Sequence, residues 1–461
     1  MDASNPLLAD WAATEPFGLP PFTRIQTHHF KPALEYAFPL HLQDVSAIAA
    51  NLQQPNFTNT IAAFDRIMSD AGALVVRVQK VFENLCSSNS PPELQAVQME
   101  MAPIFSSHNS KIYTTPGLWP RIETVYSTRL TAGLSLVEVR LVERIWLDFV
   151  REGARFDIAA QQKYMDIMSQ LSTLTTSFQQ NVMADESLIY TVLKLEDLAG
   201  CPTDLISSAR EAAVERNCAQ DEYAISLSRS LVVPFLTFST RRDLREKIWR
   251  LWTSRGETAG RDNRKVAIDI LALRIKQAQM HGFESFAAYQ TSDTMAQCPR
   301  AVMDLLERVW APAKVSADRE RQALEEFLKQ EDTNAFVTVE AWDWRFYAEK
   351  VRQQRYDFDE GQLKPFFSLE RMVEAVFDTA FKLFGLRFVP RPDIISYHKG
   401  WLLFGSPPPS IFPPSHTSHT PITHLPKADY FLNYCIITCI ICYCSTYNEC
   451  ILLLLWGFFI C

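Results

Sequence analysis

The 461 residues set 45 Lys and Arg against 53 Asp and Glu, a formal net charge of −8, and 47% of them are hydrophobic. An acidic balance argues against a nucleic-acid binder driven by counterion release, and 14 Gly beside 30 Phe disfavour a glycine-rich α/β nucleotide-binding enzyme. The length allows roughly two to four domain-sized units, or one large helical body with ample chain for a core.

The opening MDASNPLLADWAATEPFG carries Asp2 and Asp10 and has neither a basic stretch nor an apolar run. Residues 1–28 therefore read as an entry segment and not as a signal or transit peptide. From 29 to 398 helical periodicity dominates, with runs predicted at 31–52, 58–86, 92–108, 157–184, 241–255, 264–281, 299–330, 340–355 and 368–385. Another helix is marked at 135–153, where Val142, Trp146, Phe149 and Val150 form one stripe and Ser135 with Glu138 matches a capping box. Ser90-Pro91-Pro92-Glu93 repeats that logic, with proline where the first helical turn needs no N–H. The stretch 223–239, rich in β-branched and aromatic residues and interrupted by Pro234, is predicted as a short extended or β segment. The fold class is mainly α.

Within this body Cys86, Cys201, Cys218 and Cys298 are widely spaced, the pattern of a reducing compartment and a cytoplasmic protein. No G-x-x-x-x-G-K-[ST], G-x-G-x-x-G or G-x-S-x-G is present. His28-His29 is read as structural, because adjacent histidines tend to point apart. The run from Arg241 to Lys247 interleaves Asp243 and Glu246, which favours a solvated, salt-bridged helix face over an anion site. His281 followed by Gly282 reads as a helix C-terminus, where a cation would suit the dipole.

Whole phrases of the body carry more than these local signals. EPFGLPPFTRIQTHHFKPALEYAF (15–38), NFTNTIAAFDR (56–66), FENLCSSNSPPELQAVQMEMAPIFSSHNSKIY (82–113) and YQTSDTMAQCPRAVMDLLERV (289–309) follow one another in order. WDWRFYAEKVRQQRYDFDEGQLKPFFSLERMVEAVFDTAFKLFGLRF (342–388) adds a Trp-Asp-Trp-x-x-Tyr core. From about 5 to 398 the chain resembles the thimet oligopeptidase-like zinc metallopeptidases, and most closely the bacterial peptidyl-dipeptidase branch. The resemblance implies a largely helical, two-lobed channel enzyme that cleaves short peptides, this branch releasing dipeptides from a free C-terminus. It implies zinc held by an H-E-x-x-H helix and a further Glu, the motif Glu activating the bound water.

None of the nine histidines, His28, His29, His41, His108, His281, His398, His416, His419 and His424, is followed by Glu. No catalytic or metal-binding residue is carried over, and no cofactor is expected for this chain. Trp342, Asp343, Trp344 and Tyr347 are carried over as channel-side scaffold. The plainer alternative is that the aromatics pack helices while Asp343 serves as a cap or ion pair.

After Gly400 only Lys427, Asp429 and Glu449 are charged, and Cys435, Cys439, Cys442, Cys444, Cys450 and Cys461 crowd the end. Residues 399–429 read as a disordered Pro/Ser/Thr/His linker and 430–461 as an apolar, Cys-rich tail. Translated non-coding sequence, a membrane anchor over 430–448, and a metal tail of His416, His419, Cys439 and Cys442 are three readings of it. The function expected is that of a truncated peptidyl-dipeptidase-like metallopeptidase, inactive alone and exposing apolar surface that a catalytic part would cover. The alternative is a non-enzymatic peptide-binding scaffold tethered to a membrane by its tail. Short peptides are the expected partners, nucleic acid is not, and a membrane is one only if the tail is real.

Overall fold

The computed structural model describes residues 5–69, 73–331, 338–356 and 366–398, with the pairs 401–402, 404–405 and 441–442. Apart from those pairs, the linker and tail predicted over 399–461 lie outside the described residues. In chain order the elements begin with α1 (Trp11–Thr14), α2 (Phe30–Ala49), α3 (Ala63–Ser69), α4 (Leu74–Ser88), α5 (Pro92–Tyr113), α6 (Leu118–Thr128), α7 (Leu136–Arg151) and α8 (Ile158–Leu188). There follow β1 (Tyr190–Leu193), α9 (Thr203–Glu215), β2 (Tyr223–Ser226), α10 (Arg229–Phe238), α11 (Arg242–Thr253), α12 (Asn263–Met280) and α13 (Phe286–Thr291). The last helices are α14 (Pro299–Glu331), α15 (Trp344–Tyr356) and α16 (Leu369–Phe384). The fold is mainly α. Strands β1 and β2 form a two-stranded sheet. Val389–Pro390 pairs antiparallel with Phe404–Gly405, and Trp401–Leu402 with Ile441–Cys442.

Local chemistry sets many of these boundaries. Ser135 Oγ accepts from the Glu138 N–H while Glu138 Oε2 accepts from the Ser135 N–H at 2.8 Å, so the capping box opens α7 as expected. Its buried stripe is Val142, Ile145 and Phe149, with Trp146 and Val150 only half-buried. Asp157 caps α8 through the Ala160 N–H at 2.8 Å.

Ser90 does not cap α5. Pro91 is the N-cap and Pro92 the first helical residue, a start that proline's fixed φ pre-sets without a hydroxyl. The helix expected over 58–86 is two, α3 and α4, preceded by a π-helical turn at Phe57–Ala62. The extended segment expected over 223–239 holds only as β2. From Arg229 the chain is helical, because Leu231, Val232, Phe235 and Leu236 recur at helical spacing and bury one face. Pro234 sits inside that helix. Helices α6 and α9 were not anticipated.

The chain divides into two compact units. The first, 1–191 with 250–321, has three apolar clusters among its described residues. One gathers Leu7, Trp11, Phe30, Leu34, Val78, Phe82 and Met101 around α2, α4 and α5. Another centres on Val45, Ile61, Phe64, Leu118, Ile122, Val142 and Phe149. In the third, Ile167 and Leu171 of α8 meet Ile270 and Leu273 of α12. Burying one such side chain contributes about 1.5–3 kcal/mol, so the third cluster helps hold the long helix α8 against α12. In the second unit, 192–249 with 322–461, α10 packs on α9, β2 and α15. Its core includes Leu205, Ala209, Leu231, Phe235, Ile248, Leu328 and Phe346.

Candidate functional site

In the second unit the Trp-Asp-Trp segment enters α15, and its acid is the most deeply placed of the residues carried over. Asp343 is fully buried. Its carboxylate accepts from Arg242 Nε at 3.0 and 3.1 Å and Nη2 at 2.7 Å, and from Arg245 Nη2 at 2.8 Å. The Glu340 N–H adds a longer bond of 3.3 Å. Burial alone would push the Asp343 carboxyl up, but the bonds from Arg242 and Arg245 outweigh it and hold the group below its ordinary range. Arg242, bonded to Asp343, is raised in turn. Arg245 is itself buried, donates to the Ser239 carbonyl at 2.7 Å and lies 4.2 Å over the Phe346 ring.

The reading of residues 241–247 as a solvated, salt-bridged helix face holds for the exposed Arg242, Asp243 and Lys247 and is corrected at Arg245, which is buried. Arg241 is solvent-facing and pairs with Asp197 and Asp243. Arg242 and Arg245, three apart, share the face of α11 that meets Asp343, and a buried acid draws in both. The pairing partner lies about a hundred residues away, so charge spacing alone gave no sign of it. Around the pair, Trp342 stands edge-on to Trp249 with ring centroids 5.7 Å apart. Tyr347 lies near Phe346 and Phe327, and its N–H donates to the Asp343 carbonyl at 3.0 Å. Trp344, half-buried, opens α15.

The first unit holds further polar groups that sequence reasoning missed. Asp185, fully buried near the end of α8, accepts from the Gly256 N–H and Thr258 Oγ1, each at 2.8 Å, and from Arg261 Nε at 2.7 Å. It thereby ties down the loop between α11 and α12. Glu152, at the C-terminus of α7, is pushed up to about 7 by burial, with the Asp148 charge adding and a bond from Asn109 opposing.

His41 and His108 meet Nδ1 to Nε2 at 3.0 Å, and Phe38 stacks on His108. Burial, with the neighbouring His41 and Lys111, pushes His108 down to about 4, burial also lowers His41, and the two rings share one hydrogen bond. His28 and His29 do not point apart, for their ring centroids are 4.1 Å from each other. His29 Nδ1 accepts from the Gln26 N–H at 3.0 Å and so caps its own turn. His281 does close α12, and the Gly282 that follows has φ +78. Burial against Phe156, Tyr164 and Tyr289 lowers its pKa, which works against a cation at that helix end.

Between α8 and α12 runs a groove of about 460 Å³ lined by Ser169, Gln170, Thr173, Leu174, Asp269, Ala272, Leu273 and Lys276. Among the described residues no three His, Cys, Asp or Glu side chains are placed to hold a metal ion. The buried His41–His108 pair spends a nitrogen of each ring on the other.

Residues 235–403 match the model of peptidase family M3. Dipeptidyl carboxypeptidase of Escherichia coli (strain K12) is 32% identical over 88% of this chain and 59% of its own length. Oligopeptidase A of Haemophilus influenzae is 28% identical over 87% of this chain and 57% of its own. A probable cytosolic oligopeptidase A of Arabidopsis thaliana is 24% identical over 85% of this chain and 55% of its own. The match and these relatives support a thimet oligopeptidase-like family, with peptidase family M3 matched over residues 235–403. The chain spans less than two thirds of the length of these relatives. Arg242, Arg245, Trp342, Asp343, Trp344 and Tyr347 all fall within the M3 match, which takes in α11, α14, α15 and α16.

Proposed function

We propose that this chain is the equivalent of the N-terminal, peptide-handling part of a peptidyl-dipeptidase-like M3 peptidase, and that alone it does not hydrolyse peptides. The observation that carries the reading is the relationship to a dipeptidyl carboxypeptidase over 88% of this chain, in a sequence with no H-E-x-x-H. Without that motif there are no paired helical histidines to hold Zn²⁺ and no adjacent Glu to activate water. No catalytic step is assigned to residues of this chain.

The segment Trp342, Asp343, Trp344 and Tyr347 serves as scaffold beside the peptide path. Asp343 is a positioning residue: held by Arg242 and Arg245, it fixes the start of α15 and with it the aromatics of that segment. Short peptides with a free C-terminal carboxylate are the expected ligands. Titrating the chain with such a peptide, followed by tryptophan fluorescence and with mass spectrometry of the recovered ligand, should show saturable binding of an intact peptide. Binding no tighter than that of an unrelated helical protein would contradict the reading.

A further inference from the structure

The first part of α14 buries almost nothing. Residues 303–315 are all exposed, among them Met303 at 50%, Leu306 at 54%, Val309 at 58% and Trp310 at 65%. At 3.6 residues per turn, Val302, Met303, Leu305, Leu306, Val309, Trp310 and Ala313 fall on one side of the helix. Asp304, Glu307, Arg308 and Lys314 lie on the other. A stripe of this width on an amphipathic helix is a packing face, since such helices gain most of their stability by burying it. The far end of the same helix does bury its apolar residues, Leu324 and Leu328. The exposed large apolar residues of this helix run from Met303 to Val315.

Helix α14 lies inside the M3 match, while about two fifths of the E. coli relative has no counterpart in the 88% of this chain that aligns with it. We infer that the apolar stripe of α14 is a docking surface for a polypeptide equivalent to that remaining part of an M3 peptidase. The element that seats there is a helix presenting a complementary apolar stripe of about four turns. The inference rests on the family relationship, and it needs neither peptide binding nor hydrolysis by this chain.

The test mixes the full 461-residue chain with the part of the E. coli dipeptidyl carboxypeptidase that lies outside the match, co-expressed where that part is insoluble alone. The expected result is a one-to-one complex by size exclusion, in which hydrogen exchange at 303–315 slows at least tenfold. The double variant L306D/W310D should weaken the complex at least tenfold. It should leave the far-UV circular dichroism and melting temperature of the chain unchanged, because both side chains are exposed.

Failure to form a complex overturns the inference, as does a complex indifferent to that variant. Concentration-dependent protection of 303–315 in the chain alone would assign the stripe to a second copy. Protection lost on deleting residues 406–461 would assign it to the chain's own tail. Either outcome refutes the inference. Peptide titration is read separately, so a failure of peptide binding and a failure of docking are told apart.

Discussion

At the scale of single residues, the buried charges decide most. Asp343 stands between two guanidiniums, one of them buried as deeply as itself. Such a cluster contributes little over an apolar replacement, but removing one member strands the others. Asp343→Ala leaves Arg245 buried without its counter-ion and is expected to cost about 3–5 kcal/mol in urea unfolding. Asp343→Asn keeps the shape and should cost less; a loss below about 1 kcal/mol for the alanine variant would contradict this account.

Glu152 makes a pH prediction of definite sign. Its folded pKa, about 7, lies above the ordinary 4.5, so the native state holds a proton that the unfolded state has released. The contribution is fully present below pH 4.5 and is lost as pH rises through 7. Between pH 5 and 8 the wild type should lose about 2 kcal/mol more than Glu152→Gln, a difference readable from denaturant midpoints at the two pH values.

At the scale of elements, legibility followed how local the cause was. The start of α7 was readable from Ser135 and Glu138 because both halves of the cap lie within four residues. Ser135→Ala should therefore cost about 1 kcal/mol, and thermal melts that place it within 0.2 kcal/mol of wild type would speak against the cap. The long amphipathic helices were readable from periodicity for the same reason.

Other elements depend on what surrounds them. The stretch after Ser226 looked extended from its Val, Leu and Phe content, yet tertiary packing of Leu231, Val232, Phe235 and Leu236 makes it helix α10. Ser90 looked like a cap, but two prolines set the start of α5 without it. At the candidate site, Asp343 as an ion pair was foreseen as one alternative. The burial of Arg245 was not, since nothing near it in sequence announces an acid about a hundred residues on. Asp185 was hidden in the same way, its ligands lying on a loop some seventy residues later.

At the scale of the whole molecule, each unit exposes apolar helix surface among the described residues. In the first it is the beginning of α14. In the second it is α16, which buries no residue fully and exposes Leu369, Phe381 and Leu383. No helix among the described residues is long and apolar enough to cross a membrane. These surfaces accompany a span of less than two thirds of the relatives' length and a sequence without H-E-x-x-H.

The most direct measurement is to incubate this polypeptide, supplied with Zn²⁺, with a short peptide bearing a free C-terminus, and to look for dipeptides by mass spectrometry with and without a chelator. The account predicts no chelator-sensitive dipeptide release, the peptide being recovered whole. Chelator-sensitive release that tracks the purified chain through successive columns would contradict it.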